Sequence, residues 1–134
     1  MKMIVDLISF GFKTNSIPDS NYLIDVRFLK NPFYIDELRE LTGLDNEVIK
    51  FFENDEMTRT FLNMLFNWVE YIIKANKEAS KEKFTITIGC TGGQHRSPYI
   101  VEILAKELVK KKIINGLSIY HRELKKYNEL EIKE

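Results

Sequence analysis

Apolar residues recur along this chain in two rhythms. In the first, residues 3–10 (Met-Ile-Val-Asp-Leu-Ile-Ser-Phe) are short, β-branched and almost continuously apolar, as in a strand covered on both faces, and Gly11 ends the run. Residues 22–28 read as a second strand in which Asp25 and Arg27 share one face at period two, marking either a site at the sheet end or an ion pair. Residues 84–88 alternate as a third strand, and residues 117–120 form a fourth after the Asn115-Gly116 turn. The second rhythm has steps of three and four. Met57, Phe61, Leu62, Leu65, Trp68, Val69 and Ile72 make one helical apolar face, with Trp68 read as core packing, and the polar run 74–83 ends the helix. Ile100, Val101, Ile103, Leu104, Leu108 and Val109 give a later helix its buried stripe, with Lys110, Lys111 and Lys112 in its last turn, where cations suit the helix dipole.

Shorter elements fill the gaps. Residues 13–20 form a turn-rich loop, and Asn31-Pro32 breaks the chain. Residues 36–41 predict a short helix stopped by Gly43, and Asp45 caps another reaching about Phe52. From His121 onward the chain reads as a polar tail. The order strand, strand, helices, strand, helix, strand predicts one α/β domain over residues 1–134, with a mainly parallel sheet flanked by helices. Ligands of such sheets sit beyond the carboxyl ends of the strands, so Asp25, Arg27 and the loop after Ile88 are expected to meet.

Composition narrows the function classes. The 134 residues suffice for one domain with a real core. Twenty basic and twenty acidic residues cancel, so any anion-binding surface is local. A single cysteine excludes an internal disulfide and fits a reducing compartment. With no apolar run of membrane length and no cleavable leader, the expectation is a soluble cytoplasmic protein without a membrane partner. Oligomeric state stays open, a homo-oligomer included.

The chemistry concentrates in Gly89-Cys90-Thr91-Gly92-Gly93-Gln94-His95-Arg96-Ser97, between a strand and a helix. Paired glycines bring backbone N–H groups close to a ligand, and the helix start adds partial positive charge, which favours anions. Arg96 supplies a planar fork for phosphate oxygens. Ser97 is placed to N-cap the helix, with Pro98 at its first position. Three readings follow. Cys90-x-x-Gly93-x-x-Arg96-Ser97 matches the loop of Cys-dependent phosphatases, with Cys90 as nucleophile, Arg96 as phosphate clamp, and Asp19 or Asp25 as nominal general acids. Alternatively, the same donors bind a phosphorylated metabolite or an RNA phosphate without chemistry. In the third reading the loop is a tight structural turn, Cys90 is a small apolar residue and Arg96 pairs with a carboxylate such as Asp25. The mononucleotide Gly-Lys-Ser/Thr signature is absent, and Cys90, His95 and His121 do not make a metal set, so no metal or cofactor is expected.

Five ordered stretches together resemble the C-terminal domain of the RapZ family of RNase adapter proteins. They are Ser9-Phe10-Gly11-Phe12-Lys13, Asp25-Val26-Arg27-Phe28-Leu29-Lys30-Asn31-Pro32, Leu41-Thr42-Gly43-Leu44-Asp45, the loop itself, and His121-Arg122-Glu123-Leu124. The family pairs such a domain with an N-terminal P-loop kinase-like domain, which this sequence does not contain, and often carries a histidine where this chain has Phe33. The resemblance implies a regulatory domain that senses glucosamine-6-phosphate or a similar sugar phosphate, with no catalytic residue. The implied ligand-binding residues are Asp25, Arg27, Thr91, Gly92, Gly93, His95, Arg96 and Ser97. It also implies small RNA and a ribonuclease as partners. The local basic excess available for RNA is Lys106, Lys110, Lys111, Lys112, Arg122, Lys125 and Lys126, whose alternative reading is a solvated helix face.

Overall fold

The structure, a computed structural model, describes residues 2–133. Its strands are β1 (Ile4–Gly11), β2 (Tyr22–Asp25), β3 (Lys83–Cys90), β4 (Gly116–His121) and β5 (Lys126–Glu131). They form one sheet in the order β2-β3-β1-β4-β5; the first four are parallel and β5 runs antiparallel to β4. The helices are α1 (Asp36–Arg39), α2 (Asn46–Glu53), α3 (Glu56–Glu78) and α4 (Arg96–Lys111), with single 3-10 turns at Phe12–Thr14 and Pro32–Tyr34. The protein is thus α/β with a mainly parallel sheet. Among the described residues no helix is long and apolar enough to cross a membrane.

Register explains where the core lies. Val5 and Leu7 of β1 pair with Phe84 and Ile86 of β3 and with Leu117 and Ile119 of β4, so all six point to one face, and all are buried. They meet Leu62, Leu65, Val69, Ile72 and Ile73 of α3 and Ile100, Val101, Leu104 and Leu108 of α4 in a single cluster. Each such aliphatic side chain, fully buried, is worth about 1.5–3 kcal/mol. The opposite face carries Asp6, Thr85 and Ser118, where Ser118 donates to Asp6 at 2.6 Å and Lys83 pairs with the same carboxylate at 3.2 Å. β1 is therefore covered by helices on one face only, contrary to the two-sided burial that its apolar run suggests. Ile4 and Ile8 stay partly exposed, whereas Phe10 is buried edge-on against Phe12 at 4.8 Å between ring centres.

Three elements depart from the sequence pattern for identifiable reasons. β2 stops at Asp25 because its carboxylate accepts the N–H of Arg27 at 2.9 Å, closing a turn where the strand was expected to continue. α3 continues past Lys74 because Ile73 and Asn76 are buried, and the Asn76 amide donates to Tyr22 Oη at 3.1 Å. Trp68 and Met57 fall outside the core; Trp68 lies edge-on against Tyr22 at 5.4 Å and both remain exposed. Residues 121–126, read as the start of a tail, instead turn through Lys125 at φ 55° into β5.

Two contacts fasten the sheet to its helices at the site end. His121 bridges Ser9 Oγ through Nδ1 and Glu102 through Nε2, both at 2.7 Å, tying β4 to β1 and α4. Gly43 lies where the segment between α1 and α2 passes over the start of α4. A Cβ there would overlap the backbone oxygen of His95 and stand 2.7 Å from the Tyr99 nitrogen, neither of which can swing aside. Gly43→Ala is accordingly expected to destabilise the fold by about 1–3 kcal/mol, read as a lower urea midpoint with an unchanged slope.

Candidate functional site

The carboxyl ends of β1, β2 and β3 converge on the glycine loop. Gly93 turns at φ 71°, and its position allows no side chain: a Cβ would sit 2.8 Å from Gly11 N and 2.9 Å from the carbonyl carbon of Phe10. Gly11 is equally constrained, because its own Cβ would come within 2.6 Å of the carbonyl carbon of Gly92. Loop and strand end therefore fit backbone to backbone. Other elements fix the loop from the sides. Lys13 donates its backbone N–H to Thr91 O at 3.1 Å, and Gly43 donates to Gln94 O at 2.9 Å. The Gln94 amide donates to the carbonyls of Arg39 and Leu41, both at 2.7 Å. Glu123, just after β4, accepts the N–H of Gly11 at 2.7 Å.

Arg96 opens α4 and is 5% exposed. Its guanidinium donates to the carbonyls of Arg27 and Leu29 at 2.7 and 3.1 Å and to Thr91 Oγ1 at 3.3 Å. Among the described residues no carboxylate hydrogen-bonds it, so the Arg96–Asp25 pair of the third reading does not form. Asp25 instead pairs with Arg27 at 2.7 Å. The Arg27 hydrogen bonds hold the Asp25 carboxyl below the usual carboxylate range, with a further contribution from the Arg96 charge. Arg27 also lies over the Phe12 ring, 4.0 Å from its centre.

Beside Arg96 opens a cavity of about 250 Å³ lined by Lys13, Asn31, Phe33, Tyr34, Cys90, Thr91, Gly92, Gln94, His95 and Arg96. Of the residues expected from sequence, Thr91, Gly92, His95 and Arg96 line it. Gly93 packs behind it on β1, Ser97 is buried beneath, and the Asp25–Arg27 pair lies outside its lining. Lys13, Asn31, Phe33, Tyr34 and Gln94 were not singled out as site residues. Lys13 Nζ stands 3.6 Å from where a Cβ on Gly92 would be, and among the described residues it has no ion-pair partner. A larger groove of about 1030 Å³ opens near Asp6, Lys83 and Glu129, but Lys83 is already paired there and Glu129 and Glu131 add negative charge, so it does not suit an anion.

Ser97 does not cap α4. His95 holds the cap position, and Ser97 and Pro98 lie within the first turn. The Ser97 hydroxyl donates to Phe10 O at 3.2 Å and lies 3.2 Å from Cys90 Sγ, which also accepts the Ser97 N–H at 3.4 Å. A hydroxyl has one proton to give. With that proton on the Phe10 carbonyl, Cys90 is held by the Ser97 N–H. It is 2% exposed.

The basic residues divide between two ends. α4 runs back from the carboxyl edge of the sheet, so Lys110, Lys111 and Lys112 lie where the strands begin, and Lys111 pairs there with Glu70 and Glu107 at 3.7 and 3.9 Å. Lys106 lies on the same helix, one turn earlier. Arg122, Lys125 and Lys126 lie at the opposite edge, after β4, where Arg122 donates to Thr14 Oγ1 at 2.6 Å and pairs with Glu123 at 3.2 Å.

A parallel sheet whose strand ends carry a glycine loop, a buried arginine and a small polar cavity defines an α/β binding domain. The chain belongs to the RapZ family: residues 3–125 match the RapZ C-terminal domain. It is similar to Nucleotide-binding protein LBA0691 of Lactobacillus acidophilus, at 46% identity over 92% of this chain and 41% of that protein. A Nucleotide-binding protein of Carboxydothermus hydrogenoformans is 37% identical over 96% of this chain and 44% of its own length. The chain thus spans about two fifths of the length of the curated relatives it matches.

His95 gives the site a pH dependence. Its Nε2–H donates to Leu38 O at 2.9 Å, and burial, aided by the Arg96 charge, holds its pKa below the ordinary value despite opposing backbone hydrogen bonds. A histidine with a lowered folded pKa binds fewer protons folded than unfolded, so stability falls as pH drops below about 6.5 and levels off under the folded pKa. Melting temperature is therefore expected to fall between roughly pH 7 and pH 5, and His95→Gln to flatten that slope.

Proposed function

We propose that the domain is a cytoplasmic regulatory binding module that takes the phosphoryl group of a small phosphorylated metabolite, a sugar phosphate of the glucosamine-6-phosphate kind, into the cavity beside Arg96. The observation that carries this reading is the pairing of two cations that have no carboxylate partner among the described residues, Arg96 and Lys13, across a loop of closely approached backbone. Three guanidinium N–H groups are used by protein acceptors, which leaves donors from the five that arginine carries. Thr91 adds a hydroxyl, Asn31 an amide, and Gln94 its side-chain oxygen as an acceptor for ligand hydroxyls. Gly92, Gly93 and His95 shape the loop, Ser97 supports it from beneath, and Asp25 with Arg27 forms the neighbouring charged rim that a sugar amine or hydroxyl would meet. The exposed rings of Phe33 and Tyr34 provide an apolar wall for the non-phosphate end.

Ligand binding is read as thermal stabilisation by glucosamine-6-phosphate or inorganic phosphate. An excess of about a hundred times the dissociation constant stabilises by roughly 2.7 kcal/mol. Arg96→Ala should abolish the shift, and Lys13→Ala, on an exposed side chain that leaves the fold intact, should reduce it strongly. Lys13→Ala binding as tightly as wild type would remove the second cation from the reading.

The Cys90–Ser97 contact at the base of the loop is the observation behind one second reading, a Cys-dependent phosphatase. There the Cys90 sulfur attacks phosphorus while the P–O bond to the alcohol breaks and the alcohol leaves with a proton from solvent. Arg96 holds the phosphoryl oxygens, and water then displaces phosphate from Cys90. Turnover of an aryl phosphate that is lost in Cys90→Ser would establish it over the binding role.

RNA is the further partner proposed, together with a ribonuclease that the RNA-bound module would serve as adapter. Arg122, Lys125 and Lys126 share the carboxyl edge with the cavity, whereas Lys110, Lys111 and Lys112 would need a separate stretch of RNA. Each lost phosphate contact reduces the logarithmic salt slope by roughly 0.7–0.9. Replacing Lys125 and Lys126 by Ala is expected to lower that slope in filter binding of a small hairpin RNA, and an unaltered slope would remove this edge from the RNA surface.

A further inference from the structure

The helical layer is narrower than the sheet it covers. Strands lie about 4.8 Å apart and a helix is about 10 Å across, so one helix covers about two strands. α3 and α4 close over β2, β3, β1 and β4, whose inward side chains join or pack against the core, whereas all six residues of β5 are exposed. A groove of about 290 Å³ opens where a further helix would lie, between α4 and β5. Its floor is apolar, made by Ala105 and Val109 of α4 and by Ile119 and Leu130 of the sheet, with Val109 and Leu130 each 38% exposed.

The rim of this groove is basic. Lys106 and Lys110 line it from α4, one turn apart. Lys126 stands on the same face of β5 as Asn128 and Leu130, because it pairs in register with buried His121 while they pair with Ile119 and Leu117. All three lysines are exposed, and none is in an ion pair among the described residues. The carboxylate that lines the groove, Glu102, already accepts from His121 Nε2 at 2.7 Å.

We propose that this groove docks an acidic amphipathic helix of another protein, which completes the helical layer beside α4. At the usual spacing of about 8–10 Å from α4, such a helix sets a narrow apolar stripe on Val109 and Leu130. Its carboxylates then flank that stripe, one row facing Lys106 and Lys110 and the other facing Lys126. The apolar floor favours this occupant over nucleic acid, since phosphates satisfy the lysines and leave Val109 and Leu130 in water. Contact over about three turns is small for a protein interface, so the dissociation constant is expected on the order of 10–100 µM. The groove shares no lining residue with the cavity beside Arg96, and its occupancy does not depend on phosphate there.

Panning a displayed library of helical peptides of about twelve residues on the full chain tests the proposal. Enriched sequences are expected to combine apolar residues at helical spacing with Asp or Glu on both flanks. One such peptide, synthesised and labelled for fluorescence anisotropy, should bind Val109→Gln about tenfold more weakly. It should bind Lys106→Glu and Lys110→Glu about threefold to tenfold more weakly. All three replacements are at exposed positions and should leave the melting temperature unchanged. Exchanging the facing carboxylate of the peptide for Lys should restore binding to Lys106→Glu. A library without enrichment, enrichment of neutral or basic peptides, or acidic peptides indifferent to these replacements overturns the proposal. A small hairpin RNA weakened by Lys106→Glu and Lys110→Glu but not by Val109→Gln, with no helical peptide enriched, overturns it in favour of nucleic acid.

Discussion

The buried guanidinium of Arg96 is the constraint on which the site end of the molecule depends. Removing a charge from water is costly unless its hydrogen bonds are met, and here they are met by the carbonyls of Arg27 and Leu29 and by Thr91 rather than by a carboxylate. Those acceptors belong to the segment after β2 and to the glycine loop. One side chain at the start of α4 thereby fixes two loops against a third element, and its charge stays uncancelled at contact distance. An arginine neutralised by Asp25 would have made the same fold and a much poorer anion seat.

Backbone packing supplies the second requirement. Gly11, Gly92 and Gly93 approach so closely that side chains are excluded at Gly11 and Gly93, and Glu123 holds the Gly11 N–H from the far side. The loop is consequently clamped between β1 and the elements around α1, through Gln94 to Arg39 and Leu41 and through His95 to Leu38. Its polar lining is presented by a rigid frame, which lowers the ordering cost of binding.

Much of this was legible in the sequence, and the exceptions have physical causes. Strong periodicity located β1, β3, β4, α3 and α4, because burial on one face forces a pattern. β5 was missed because all six of its residues, Lys126 to Glu131, are exposed, so no face imposes an apolar rhythm; only pairing with β4 makes it a strand. β2 was read too long because Val26 and Phe28 continue the alternation, while the turn is set by the Asp25 side chain taking the Arg27 N–H. Within the site, the loop residues were legible because they are contiguous and chemically unusual. Lys13, Asn31, Phe33 and Tyr34 come from the segments after β1 and β2, and only the parallel strand order brings those segments to the loop. The available signal was their position just beyond strand ends. On α3, two apolar stripes were merged into one, since a list of apolar residues at three- and four-residue steps does not say which of two adjacent faces meets the sheet.

The chain has no net charge, yet its carboxyl edge suits an anion, and the pairing pattern explains how. Asp25 and Glu123 lie at that edge, and each is occupied by a neighbouring arginine, Asp25 by Arg27 and Glu123 by Arg122. With those pairs made, neither Lys13 nor Arg96 at the cavity has an ion-pair partner among the described residues. The excess acidic charge lies elsewhere, on the uncovered sheet face with Asp6, Glu129 and Glu131. At physiological ionic strength the field of those groups decays over about 8 Å, so a ligand in the cavity responds to the two near cations rather than to the sum. Neutrality overall limits long-range attraction of nucleic acid, and the proposed phosphate seat rests on local imbalance instead. A small metabolite fits that distribution better than a long polyanion does, because a long polyanion would have to extend from the cationic edge toward surfaces of mixed sign.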